Sequence, residues 1–261
     1  MAARAIWKGV IHFGDVTVPV KLYSAAQDHD VHFHMLHERD QVRVRQRMVH
    51  PSTGDEVPSG EIRRGYEAEP GVFVLLDKEE LEELTPAASR DVEVTHFVAP
   101  SAIDQAWYVR PYYLGPDGDE TRYSALAAAL EREERVGVAH WVMRKRQYSG
   151  ALHARDGRLV LITMRPAEEV VDVSKLEAPG GRALDKRELQ LAEQLVSALT
   201  GDFEPAQFRD EHRDRVLELI ELKRKGGTVK KPRVARKEAP SSLASALTAS
   251  LKHVRKEKKS A

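Results

Sequence analysis

The sequence contains no cysteine, which removes disulfides, thiolate nucleophiles and cysteine-based zinc sites together and fits a reducing cytosol. No apolar run is long enough to span a bilayer, and the first residues, with Lys8 and Gly9 inside an alternating pattern, lack the apolar centre of a signal peptide. There is no GxSxG elbow, no phosphate loop ending in Gly-Lys-Ser/Thr, no GxGxxG turn and no HExxH helix. Together these absences favour a soluble, cytoplasmic binding protein over an enzyme, with no cofactor and no membrane contact.

Net charge is also lacking, with 41 basic residues against 41 acidic ones, yet the average conceals a division. From Lys223 onward 13 Lys and Arg face only Glu238 and Glu257, a net +11, which leaves −11 on the rest of the chain. An acidic body with a basic tail suggests a folded domain carrying an appendage that seeks nucleic acid. A tail of this kind also serves simple solubility.

Two segments combine cations with alternation. Val138 to Tyr148, VAHWVMRKRQY, reads as one strand with Val142, Arg144, Arg146 and Tyr148 on one face and Ala139, Trp141 and Met143 on the other. Gln41 to Val49 repeats the design, with Arg43, Arg45 and Arg47 opposite Val42, Val44 and Met48. One cationic and one apolar face suits a sheet that holds a polyanion, and it equally describes a solvated sheet face. On this patterning Arg43, Arg45, Arg47, Arg144, Lys145 and Arg146 are the candidate phosphate contacts, with Lys8 and Lys21 added from the first two strands.

Elsewhere the chain alternates short strands with turn formers. Arg4 to Ser24 predicts two strands joined at Gly14 and Asp15, with Pro19 marking an edge or a bulge. Asp77 and Glu80 form a capping-box pattern before a short acidic helix, and Thr121 to Val136 predicts a helix with Leu126 and Leu130 inward. The aromatic run AWYVRPYYL reads as core, and RLVLITM after Gly157 as a strand. Many strands, few helices and closely spaced turns point to a barrel. His29, His32, His34 and His37 cluster, but with no helical pair and no carboxylate at fixed spacing they are assigned no metal. Beyond a glycine pair at Gly180 and Gly181, two helices are expected: one capped by Asp185 and Glu188 and carrying Leu191, Leu195 and Leu199, and one from about Pro205 to Arg224 burying Val216, Leu219 and Ile220. The tail then offers Lys223, Arg224, Lys225, Lys230 and Lys231, and a helical stripe of Leu243, Leu247 and Leu251, as contacts for DNA or a partner. That last stripe is expected to stay unfolded until bound.

The opening run resembles the signature of the bacterial Ku family: Ile6, Trp7, Lys8, Gly9, Phe13, Gly14, Val18, Pro19, Val20, Lys21, Leu22 and Tyr23 fall in that family's order and spacing. RRGYE at Arg63 to Glu67 resembles its Lys-Gly-Tyr-Glu element, and AWYVRPYYL before Pro116 to Gly118 its aromatic run. The likeness extends to about residue 225. His50 stands near where a cysteine is frequent in the family, so no thiol chemistry carries over. The resemblance implies a mostly β fold with α: a Ku-core β-barrel with an inserted DNA-encircling bridge over residues 1–180, a helical arm that wraps a dimer partner over 181–225, and a basic, flexible tail over 226–261. It further implies a homodimeric ring, associated with the bacterial nucleoid, that binds double-stranded DNA ends regardless of sequence. Such a ring recruits an ATP-dependent DNA ligase in non-homologous end joining. Two other readings stand beside it: an architectural DNA-binding protein acting through its tail, and a small hydrolase using the histidines with a metal.

Overall fold

Strand formation starts where apolar residues alternate and a turn residue lets the chain reverse. β1 (Trp7–Phe13) and β2 (Val16–Ser24) fold back on each other at Gly14, whose φ of 54° is open to glycine and strained for most other residues. The computed structural model describes residues 4–177, 185–226 and 243–257. Val18, Val20 and Leu22 of β2 point inward with no exposed surface. Pro19 interrupts nothing: it sits opposite Val10 in an unbroken ladder, just outside the pairing of β2 with the later strand that ends at Val20↔Pro116. The proline therefore marks a strand edge, not a bulge.

Residues 25–90 form an insertion containing β3 (Arg64–Glu69), β4 (Val72–Leu76) and α1 (Lys78–Glu83), whose capping box is made by Asp77 and Glu80. The barrel resumes with β5 (Asp91–Val98) and β6 (Tyr108–Pro116), passes through α2 (Glu120–Arg132), and ends with β7 (Val136–Met143), β8 (Arg146–Arg155) and β9 (Arg158–Met164). Seven strands close in the order β1-β2-β6-β9-β8-β7-β5. The seam is a parallel pairing of β1 with β5 at Val10↔Asp91 and Ile11↔Val92, while the other barrel pairs are antiparallel.

Ile11, Leu22, Val92, Leu152, Leu159 and Leu161 are wholly buried inside, an aliphatic core. Helix α2 lays Tyr123, Leu126, Ala127 and Leu130 against it. The Tyr123 hydroxyl donates to the Leu114 carbonyl at 2.6 Å and accepts from the Leu159 amide at 2.9 Å. Leu114↔Leu159 is the last pair of the β6–β9 ladder, so one buried hydroxyl serves backbone groups where two strands begin to part. Burial raises the Tyr123 phenol above its ordinary value, keeping it a donor. The aromatic run divides: Tyr112 and Leu114 are core, whereas Tyr113 is 51% exposed.

Two expectations about the cationic segments fail. Val138 to Tyr148 is not one strand, because Arg144 and Lys145 take φ of 51° and 62° and reverse the chain between β7 and β8. The reversal places Tyr148 opposite Trp141, their rings stacked 5.6 Å apart, so Tyr148 shares the inward face instead of the arginine face. Gln41 to Val49 is not a strand of any sheet. Its pairing is limited to the isolated bridges Leu36↔Arg43 and Val49↔Glu56, and Val42, Val44 and Met48 are 61%, 46% and 67% exposed. Alternation permits a strand there, but no neighbouring strand or second layer covers its apolar face.

The chain falls into two units, Met1–His29 with His34–Lys175, and Asp30–Phe33 with Leu176–Ala261. The second holds α3 (Lys186–Leu199), α4 (Glu211–Arg224) and α5 (Leu243–Glu257). Asp185 and Glu188 cap α3 as expected. α4 starts later than Pro205, which opens a separate short 3-10 turn, and Leu219 and Ile220 remain 36% and 39% exposed instead of buried. The stretch expected to stay unfolded until bound is helical over α5, because α3 offers it a packing partner within the same chain. Gly180 and Gly181 lie outside the described residues. Among the described residues no helix is long and apolar enough to cross a membrane.

Candidate nucleic-acid interface

The β7–β8 turn is the most informative cationic element. A two-residue hairpin with both central residues at positive φ is a type I′ turn, for which Asn-Gly is the favoured pair. Here the positions hold Arg144 and Lys145, both exposed, and left-handed backbone costs a non-glycine residue about 1–2 kcal/mol. Charge is thus placed at a rigid tip against local conformational preference. Arg146 follows as the first residue of β8, opposite Met143 and exposed.

Two clefts meet at this turn. One of about 600 Å³ brings Lys145 together with Arg63, Arg64 and Lys78 but also with Asp77, Glu79 and Glu82. Arg63 lies 3.9 Å from Asp77 and Lys78 3.9 Å from Glu82, so most of its positive charge is answered within the protein. The other, of about 390 Å³, is lined by Arg90, Arg144 and Lys145 with Trp7, Pro86, Ala88, Ser89 and Val142, and by no carboxylate. Three cations and no carboxylate in its lining give the smaller cleft a local excess of positive charge. Arg90 was not singled out from the sequence: it stands alone before β5, and only the β5–β7 pairing carries it toward the turn.

Lys8 and Lys21 come together for a different reason. They are directly opposed across β1 and β2, and both ammonium groups reach Asp117, at 3.0 and 2.9 Å. Hydrogen bonds and charge attraction from the two lysines hold the Asp117 carboxyl below its ordinary range, and Asp117 in turn raises Lys21. Two like charges facing one another are reconciled by the carboxylate, leaving a net +1. The pair is therefore half-neutralised within the chain.

Arg43 and Arg45 are exposed on the insertion, while Arg47 is bonded to Glu56 at 2.6 Å. His37 Nδ1 bonds Asp40 at 2.7 Å, and among the described residues no group of three or more His, Cys, Asp or Glu side chains is placed to hold a metal. Lys223 and Arg224 end α4, Lys225 caps it, and Leu251 is buried beside α3 with Leu247 half-buried. Lys230 and Lys231 lie outside the described residues. The eight barrel and insertion candidates thus divide into the turn, the lysine pair and the insertion arginines.

Comparison with known proteins gives the following. The profile of the Ku70/Ku80 beta-barrel domain matches residues 12–191. The non-homologous end joining protein Ku of Anaeromyxobacter sp. (strain K) is 42% identical, over 97% of this chain and 87% of its own length. Non-homologous end joining protein Ku 2 of Geotalea uraniireducens is 39% identical, over 97% of this chain and 100% of its own. Its counterpart from Archaeoglobus fulgidus is 36% identical with the same two coverages, 97% and 100%. The SPOC domain of human PHD-finger protein 3 covers 62% of this chain at 15% identity and a TM-score of 0.30, a likeness too low to carry weight. The barrel is closed, the domain match spans most of it, and relatives at this identity align over nearly the whole chain: the chain belongs to the Ku family.

Proposed function

We propose that this protein acts in non-homologous end joining by binding the ends of double-stranded DNA without regard to sequence, as a homodimer whose two copies complete a ring. The reading rests on family membership across nearly the whole chain. The cleft of Arg90, Arg144 and Lys145 supplies the local chemistry. Affinity comes from phosphates displacing their own counter-ions, so binding is steeply salt-dependent. The −11 carried by the chain before Lys223 is compatible with this, because negative charge away from the phosphate path discourages side-on sticking and steers a duplex to the cationic surface.

The second copy and the ligase enter on separate grounds. The insertion leaves Val72, Phe73 and Leu75 exposed by 53%, 59% and 67%, and an isolated two-stranded hairpin is only marginally stable in water. A homodimer interface that covers it, and the open apolar face of α4, suits both. An ATP-dependent DNA ligase is the partner the family implies for the held ends.

The test is a gel shift comparing a linear duplex with the same sequence closed as a circle, at two salt concentrations. Strong preference for linear DNA, with several copies loading on longer fragments, is expected. Equal binding to both forms overturns entry through ends. Deleting residues 226–261, which carry a net +8, separates this reading from an architectural protein driven by its tail: the ring keeps end binding, the tail-driven binder loses nearly all of it. Stimulation of blunt-end ligation by the ATP-dependent enzyme tests the recruitment.

A further inference from the structure

Helix α3 has two apolar stripes with different surroundings. Leu189, Val196 and Leu199 are 47%, 69% and 62% exposed. Leu191, Ala192 and Leu195, on another side, are half-buried, and the helix packed against α3 is α5. From α5 come the half-buried Ala244, Ala246 and Leu247 and, one turn on, Leu251 at 7% exposure. Among the described residues after Thr163, Leu251 and Glu188 are the only buried side chains. Among the described side chains of this 15-residue helix, one leucine is buried against its neighbour, less than a permanent helix pair buries.

Charge distribution gives this weak contact a direction. The groove between the two helices is lined by Asp185, Arg187 and Glu188 at the start of α3, and by Lys252 of α5, so Lys252 meets two carboxylates that already have a cation beside them. Glu188 is also tied to the α3 cap through the Asp185 amide. Past Leu251 the chain continues Lys252, Arg255, Lys256, Lys258 and Lys259 with Glu257 as the only acid. The start of α3, Asp185-Lys186-Arg187-Glu188, has no net charge to hold this basic end, whereas a polyanion attracts it strongly.

We propose that the Leu191–Leu195 face of α3 is a docking surface whose occupant is α5 of the same chain, and that a DNA backbone removes α5 by competing for Lys252, Arg255 and Lys256. This inference rests on the DNA binding proposed above. Docking couples the basic face of α5 to the α3 face: both are covered without DNA and both become available on it. A ligand that must first undo an internal contact binds with its affinity reduced by the fraction of open molecules.

Because the chain has no cysteine, Gln190→Cys and Ser250→Cys place two dyes on exposed positions of α3 and α5 in the full-length protein. Energy transfer is measured with the labelled chain diluted into an excess of unlabelled chain, while binding of the same sample to linear duplex is followed by gel shift. High transfer without DNA, falling by at least about half at saturating duplex, is expected. Adding Leu251→Asp to one tail, or Leu191→Glu to α3 with the tail intact, is expected to lower the DNA-free transfer to that value and to tighten duplex binding by up to about tenfold. Transfer equal in the parent and both variants overturns the docking, and transfer lost on dilution into unlabelled chain overturns its placement within one chain. Duplex bound with transfer unchanged overturns the release alone, whereas no duplex bound overturns the end-binding reading and the release with it.

Discussion

Two stretches with almost the same alternation meet opposite fates. In β2, VTVPVKL buries Val18, Val20 and Leu22 completely; in the insertion, QVRVRQRMV leaves Val42, Val44 and Met48 largely in solvent. The difference is not in the residues but in their neighbours. β2 lies between β1 and β6 with α2 across the same core, whereas the insertion segment has two isolated bridges and no layer behind it. Period-2 patterning states which side chains can share a face, and only the surrounding strands decide whether that face is buried. The barrel buries its apolar face within one chain, and the apolar side chains of the insertion segment lie exposed.

Substitutions test that contrast directly. Leu161→Ala is expected to destabilise the protein by about 2–5 kcal/mol in urea unfolding, and Val44→Ala by no more than about 0.5 kcal/mol. Comparable losses would mean that the insertion carries hidden packing, and the comparison would break. In DNA binding the same order is expected for charge. Removing Arg90, Arg144 and Lys145 together is expected to reduce the salt slope by about 2–3 and weaken all duplexes alike, with little change in melting temperature. Removing Arg43, Arg45 and Arg47 should reduce the slope by less, because Arg47 already has Glu56 as partner.

The turn offers a finer probe. Replacing Arg144-Lys145 by Asn-Gly is expected to raise stability by about 1 kcal/mol, since the favoured type I′ pair relieves left-handed strain, while duplex affinity falls. A gain in both would show that these cations touch no phosphate. The smallest effect is expected of pH. Burial near Tyr108 holds His153 below its ordinary value of 6.5. Between the lowered value and 6.5 the unfolded chain binds more protons than the folded one, so stability falls as pH drops below about 6.5 and levels off beneath the folded value. His153→Gln should flatten that part of a denaturation-midpoint profile taken between about pH 7.5 and 5, and an unaltered profile assigns the dependence to other groups.

Local features were legible in the sequence wherever a few adjacent residues decide them. The Gly14 and Gly157 reversals, the capping boxes at Asp77 and Asp185 and the inward side of α2 all came from patterns shorter than a dozen residues. The β7–β8 reversal did not, because Arg144 and Lys145 are not turn formers and the alternation runs straight through them. Nor did the cleft, since Arg90 reaches the turn only through a strand pairing that no local signal announces. α4 shows the same limit from the other side. Its apolar periodicity was readable, but nothing in the sequence says whether the surface that covers it belongs to the same chain.

The parallel seam between β1 and β5 has a consequence for how the barrel is reached. β1–β2 and β7–β8–β9 close through turns of two residues, events of microseconds. Val10↔Asp91 can pair only after the whole insertion has been looped out, and contacts of such high sequence separation slow folding. Until then β1 and β5 present unpaired edges on an otherwise assembled sheet, the kind of surface on which strands from other molecules add. Refolding from denaturant is therefore expected to be most vulnerable to concentration in its final phase, where the β1 of one chain competes for the β5 of another.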